Sequence, residues 1–218
     1  MRKIVAIDGP AGSGKGTIAK IIAEKCNLLY IDSGATYRCV ALAMLENNID
    51  INDEDKVVEL AKSLDIKFIN GKTYLNGIDV SEEIRSKEVT KIVSFVSNNI
   101  GLREILVELQ RKMAESNDVI MEGRDITTVV FPNANYKFYL DADLTERAKR
   151  RFKQNQEKNI DMSIEEIIEN IKKRDYNDMN KPVGALIKTN EQIYIDSTNL
   201  SIDEVVEKII KVIGDEKK

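Results

Sequence analysis

Residues 4–17 read IVAIDGPAGSGKGT, and this stretch decides the fold. Ile4–Ile7 is a short apolar run stopped by glycine, as a strand buried on both faces would be. Lys15–Cys26 then places Ile18, Ile21 and Ile22 on one helical face. Between strand and helix lie Gly9, Pro10, Ala11, Gly12, Ser13, Gly14, Lys15, Gly16 and Thr17, with four of the chain's eleven glycines in eight residues. Glycines there let backbone N–H groups converge on phosphate oxygens, and the helix N-terminus adds the positive end of its dipole. Lys15 is spaced to reach the β- and γ-phosphates of a nucleotide, and the Thr17 hydroxyl to ligate Mg²⁺. The string departs from GxxxxGK[ST]: Gly16 takes the hydroxyl position and Thr17 follows one later.

Outward from that loop, apolar runs alternate with helix-period segments. Leu28–Ile31 reads as a second strand and Ala35–Glu46 as a second helix. Further strands are expected at Val119–Met121, Lys137–Leu140 and Ile193–Ile195. Leu102–Met113 carries Leu102, Ile105, Leu106 and Leu109 at helical spacing. Asp143 with Glu146, Ser163 with Glu166, and Ser201 with Glu204 have capping-box spacing. The alternation predicts an α/β fold, a parallel sheet with helices on both faces. Lys67–Val80 breaks the pattern: Asn70-Gly71 and Asn76-Gly77 are hairpin signals, which predict a small antiparallel insertion within one domain spanning residues 1–218.

Composition limits the chemistry. Lys+Arg 33 against Asp+Glu 37 leaves a formal charge of −4, which argues against a dedicated nucleic-acid binder. No stretch approaches the ~20 apolar residues of a membrane helix. The start lacks a signal-peptide run, so a cytoplasmic protein is expected. The chain has no histidine, which removes histidine relays, triads and metal sites. Its two cysteines, Cys26 and Cys39, are too few for a four-cysteine zinc site. Cys26 follows Ile18 and Ile22 at helical spacing and is expected in the core. What remains is chemistry by Lys, Arg, Asp, Ser and Thr, with Mg²⁺.

A kinase acting on a small phosphorylated acceptor needs arginines, whose planar fork suits phosphate. Arg38 follows the second strand and Arg124 the Val119–Met121 strand, at the carboxyl ends where open α/β sheets bind ligands. Arg103 lies just inside a helix. Arg174, Asp178 and Lys181 continue the stripe of Ile164, Ile167, Ile168 and Ile171, with the base preceding the acid, the poorer order for propping up a helix. Arg147, Arg150 and Arg151 lie at i, i+3, i+4 beside Leu144, Ala148 and Phe152. A GTPase reading fails, because Asn180-Lys181-Pro182-Val183 lacks the Asp of NKxD.

GPAGSGKGT, DSGATYR, GRDITTVVFPNA, ERAKRR, the KRDYND region and the terminal IDST together closely resemble bacterial cytidylate kinases, from Lys3 to about Gly214. The resemblance implies a five-stranded parallel core, an acceptor-binding insertion at about 63–98 and a mobile helical lid at about 147–181. It implies transfer of the γ-phosphoryl of ATP to CMP or dCMP with Mg²⁺, by a monomer that binds neither membrane nor nucleic acid. Gly9–Thr17 then resembles the ATP phosphate loop. Ser33, Tyr37 and Arg38 match part of the monophosphate pocket, with Arg38 and Arg124 on the acceptor phosphate. Ser94, Arg103 and Asp125 match positions around the cytosine, and Arg174 and Asp178 a sugar-facing pair. Arg147, Arg150 and Arg151 match lid arginines that close over ATP. Asp8 and Asp32 are both candidates to hold Mg²⁺ through water. Four features depart from the family pattern: Glu122 replaces Asp, Thr127 replaces Gly, Lys181 replaces Arg, and Ala185-Leu186 replaces Pro-Leu. The rival readings are a kinase for UMP, AMP or dephospho-coenzyme A, and a nucleotide switch without transfer.

Overall fold

The computed structural model describes residues 2–157 and 160–214. The two ends of the expected 1–218 domain and residues 158–159 of the expected lid lie outside the described residues. The chain opens with β1 (Ile4–Asp8), α1 (Lys15–Cys26), β2 (Leu29–Asp32) and α2 (Ser33–Glu46). An excursion follows: α3 (Glu54–Ser63), β3 (Ile66–Ile69), β4 (Lys72–Leu75), β5 (Ile78–Asp79), a 3₁₀ turn at Glu83–Arg85, and α4 (Lys87–Val96). Next, α5 (Ile100–Glu115) leads into β6 (Val119–Gly123), a π-helical turn (Ile126–Val130) and β7 (Tyr136–Asp141). The helix pair α6 (Leu144–Glu157) and α7 (Ile164–Met179) precedes β8 (Ile193–Asp196) and α8 (Ile202–Gly214).

Five strands form one parallel sheet in the order β2-β6-β1-β7-β8. Strand periodicity sorts its residues onto two faces. Val5, Ile7, Ile120, Phe138 and Leu140 pack against α1 and α8, whereas Ala6, Ile31, Val119 and Met121 pack against α2, α3 and α5. Because both faces are covered, the central strands are continuous apolar runs. Register positions the site: Asp8, the last residue of β1, lies opposite Gly123 of β6 and Tyr139 of β7. The loops leaving β1 and β6 therefore start side by side.

The insertion is a three-stranded antiparallel sheet, β3-β4-β5. Asn70-Gly71 and Asn76-Gly77 all have positive φ and join Ile69 to Lys72 and Leu75 to Ile78, the backbone that a two-residue type I′ turn needs. Ile66, Phe68, Leu75 and Val80 are buried in the same cluster as α2 and α5, so the insertion shares the main core. The α6–α7 pair differs. Ala148, Ile167 and Ile171 form a separate buried cluster, flanked by Leu144, Phe152, Met162, Ile164 and Ile168.

Ser163 with Glu166, and Ser201 with Glu204, form reciprocal caps. Asp143 accepts from the Thr145 N–H, but Glu146 turns away to Arg150 at 3.0 Å, so that box is half made. Cys39 is fully buried, which pushes its thiol up to about 12. Cys26, expected in the core, is the last residue of α1 and is partly buried, packed against the cluster of α1 and α8. Both cysteines are free. Among the described residues no helix is long and apolar enough to cross a membrane.

Candidate active site

The loop between β1 and α1 is shaped by its neighbours. A Cβ at Gly9, whose φ is +155°, would stand 2.0 Å from the Leu140 carbonyl oxygen of β7, so only glycine lets the chain leave the sheet there. Gly14 is the N-cap of α1 and supplies no side-chain acceptor, whereas α2, α3, α4, α5 and α7 are each capped by a side chain. The amides opening α1 are thereby left for an anion. Lys15 is buried, and its Nζ donates to the Pro10 carbonyl at 2.8 Å and to Ser13 Oγ at 3.3 Å. Burial, reinforced by the nearby Arg124 guanidinium, pulls its pKa down to about 7. A phosphate at the loop would reverse that shift.

Beside the loop stands a ring of guanidiniums. Arg38, on α2, donates to Thr90 Oγ1 at 3.1 Å and to the Ile84 carbonyl. Burial lowers its pKa, Asp32 opposes that, and Arg85, Arg151 and Arg124 add to it. Arg124 leaves β6 and is held by Asp178 of α7 at 2.7 Å. Burial alone would lower Arg124, but Asp178 and Glu122 keep it above its ordinary value. Desolvation, then Arg124, Arg38 and Arg151, lower Arg174 from its ordinary value, although its side chain is 55% exposed and solvent weakens the effect. Positive groups so close repel one another, and a bound phosphate would relieve them.

Arg103 and Asp125 form a buried ion pair. Gly184, in the segment after α7, closes over them. Its φ is +70°, and a Cβ there would fall 1.9 Å from Arg103 Nη2 and 2.5 Å from Asp125 Oδ2. The Arg103 guanidinium lies over the Tyr37 ring at 5.7 Å, and its Nε is buried without a hydrogen-bond partner. Burial raises the Asp125 carboxyl, against which Arg103 acts. Lys181 bridges Asp178 Oδ1 at 3.4 Å and Ser97 Oγ at 3.0 Å. Ser33 Oγ donates to the Glu122 carbonyl at 2.8 Å.

This arrangement places the glycine loop beside a cluster of guanidiniums that ends at the buried Arg103–Asp125 pair, where Arg103 Nε has no hydrogen-bond partner. The sequence profile of the cytidylate kinase family matches residues 5–215. The chain belongs to the cytidylate kinase family. It is 48% identical to the cytidylate kinase of Alkaliphilus oremlandii over 96% of both chains. It is 48% identical to that of Clostridium acetobutylicum over 98% of this chain and 99% of the other. With the Bacillus subtilis cytidylate kinase it shares 44% identity over 96% and 95%. A solved structure of an uncharacterized protein from Eubacterium ventriosum is similar in fold, with a TM-score of 0.55 at 15% identity over 98% of this chain and 99% of that one.

For this cytidylate kinase family member, most residues singled out in the sequence converge, and several are placed differently from expectation. Asp178 meets Arg124 at 2.7 Å, while its helical neighbour Arg174 stands 4.0 Å away. Ser94 is exposed on α4, and the serine that meets Lys181 is Ser97. Arg147 is buried beneath the loop, bonded to the Ala142 and Ala11 carbonyls and to Asp175. Arg150 reaches Glu146 and Ser197. Arg151 is exposed, with its charge felt by Arg38 and Arg174. Arg85, absent from the sequence reading, pairs with Asp32 at 3.1 Å.

The structure also separates the two candidate magnesium acids. Asp8 is fully buried and accepts from the Ile126 and Thr127 N–H groups and from Thr127 Oγ1, so it ties β1 to the turn after β6. Thr127 Oγ1 in turn accepts from Gln192 Nε2 at 2.5 Å, which gives this departure from the family pattern a structural role. Asp32 caps α2 through the Ala35 N–H. Glu122 Oε1 lies 3.4 Å from where a Cβ of Gly16 would project, and burial, then Asp32, raise its carboxyl. Thr17 is exposed on the first turn of α1. Among the described residues no group of three or more His, Cys, Asp or Glu side chains is arranged to hold a metal ion. Magnesium typically takes one or two carboxylates together with substrate phosphates, and a hydroxyl with flanking acids beside the loop fits it.

Proposed function

We infer that the chain transfers the γ-phosphoryl group of ATP to CMP or dCMP, giving ADP and CDP or dCDP. The observation that carries this reading, in a chain of this family, is the flush ending of β1 and β6, which starts the phosphate loop and the Arg124 turn side by side. ATP phosphates lie along the Gly9–Thr17 backbone with Lys15 protonated against them. Arg38 and Arg124 align the acceptor phosphate with the γ-phosphoryl. The attacking oxygen is already ionised, so no strong general base is needed, and positioning with electrostatics supplies the rate. When bound, Mg²⁺ supplies charge neutralisation at the transferring group, and Thr17 with Asp32 and Glu122 would hold it.

Cytosine offers an amino donor at N4 where uracil offers a carbonyl acceptor. An ionised Asp125, oriented by Arg103, accepts from the first and repels the second. Tyr37, Ser33, Ser94 and Lys181, the last held by Ser97 at 3.0 Å, complete the acceptor side. The α6–α7 pair, with its separate apolar cluster, acts as the lid, and Arg150 and Arg151 approach ATP as it closes and excludes water. The enzyme works as a cytoplasmic monomer on free nucleotides.

ADP release from Mg²⁺–ATP with CMP, dCMP, UMP and AMP offered separately tests the reading. Turnover is expected with CMP and dCMP and much less with UMP. A preference for UMP or AMP would assign another acceptor, and tight ATP binding with no acceptor-stimulated release would leave a switch.

A further inference from the structure

Ala11, at the crest of the phosphate loop, spends both of its backbone groups on the helix pair. Its N–H donates to Asp175 Oδ1 at 2.9 Å, and its carbonyl accepts from Arg147 Nη1 at 2.8 Å. The two side chains close the clasp on each other, Nη1 to Oδ2 at 2.5 Å, and Arg147 Nε donates to the Ala142 carbonyl at 2.9 Å. Both residues are 8% exposed. A Cβ on Gly12 would stand 3.3 Å from Arg147 Cβ, so the next loop residue also rests on α6.

Arg147 lies in the first turn of α6 and Asp175 in the last turns of α7, at the root of the pair. The apolar cluster of that pair is separate from both clusters of the sheet. Asp175 continues the buried face of Ile167 and Ile171, where a carboxylate is costly unless paired. Here it is paired with Arg147 and with an amide of the loop.

We propose that Asp175 and Arg147 are positioning residues for the donor nucleotide: they fix the Ala11–Gly12 crest and make the root of the helix pair part of the loop. This rests on the phosphoryl-transfer reading above and revises the direct ATP contact that sequence assigned to Arg147, whose Nη1 and Nε are already bonded within the protein. Held by α6 and α7 together, the crest keeps the amides from Gly12 onward aimed at the phosphates.

The test compares Asp175→Ala with the paired variant R147M/D175L, which removes the buried charges together. It measures equilibrium ADP binding, KM for ATP and for CMP, and the thermal midpoint. For Asp175→Ala, the ADP Kd and the KM for ATP are expected to rise about tenfold or more, with the KM for CMP within about twofold. In the paired variant the midpoint returns towards wild type while the ADP Kd stays raised. Should Asp175→Ala not fold, the paired variant alone decides. Recovery of ADP affinity along with the midpoint, or a parallel rise in the KM for CMP, would overturn the proposal. Wild-type enzyme that binds ADP but transfers nothing would sink the phosphoryl-transfer reading, while the ADP comparison would still report on the clasp.

Discussion

In the proposed reading, the donor side and the acceptor side of the site recognise phosphate by different means. On the donor side the contacts come from backbone: a loop folded around glycine, the uncapped amides of α1 and one buried lysine. On the acceptor side they come from side chains of α2, α7 and the turn after β6, with Arg124 held by an ion pair across 54 residues of sequence. The first device needs only local geometry. The second exists only once the sheet has brought its strand ends together, and its strength depends on how each guanidinium is shared between a protein carboxylate and the substrate.

The largest expected effect breaks the donor side. Lys15→Ala removes the loop's own buried cation and is expected to lower kcat by about 10³-fold, read as initial rates of ADP release, with the KM for CMP nearly unchanged. An equal loss spread over both substrates would blur the division. Next, Asp125→Asn should reduce discrimination between CMP and UMP by about 10- to 100-fold, checked by the ratio of kcat/KM values, while leaving the KM for ATP alone. The smallest effect is a linkage. Lys15 titrates at about 7 in the free protein, so below that pH it is already protonated and binding takes up no proton. Above it, the lysine must gain a proton to meet phosphate. The Kd for ATP is therefore expected to rise by up to about tenfold per pH unit between about pH 7 and 9, a slope that Lys15→Ala should flatten.

This contrast also explains what could be read from the sequence. Strand, glycine loop and helix are contiguous, so this unit was legible from residues 4–26. The two hairpins were legible because Asn-Gly specifies the turn locally, and the Ser163 cap for the same reason. The acceptor side was legible only as a set of residue types. Helical spacing pairs Arg174 with Asp178, yet the sheet delivers Arg124 to that carboxylate at 2.7 Å. Ser97, which meets Lys181 at 3.0 Å, lies one helical turn beyond Ser94, and nothing in its local sequence marks it. Asp175 did leave a signal, a charge on the apolar face of α7 following Ile167 and Ile171, but its partner in the loop is 164 residues away. Arg147 matched a lid arginine facing ATP, and nothing local shows that Ala11 and Asp175 cover it.

The central claim is that the guanidinium ring is built for the acceptor's phosphate. Equilibrium binding of CMP and of cytidine to the wild type and to Arg38→Ala tests it most directly. The account predicts that CMP binds the wild type at least about 100-fold more tightly than cytidine, and that Arg38→Ala removes most of that advantage while ADP affinity stays within about twofold. An unchanged ratio of CMP to cytidine affinity in the variant would contradict it.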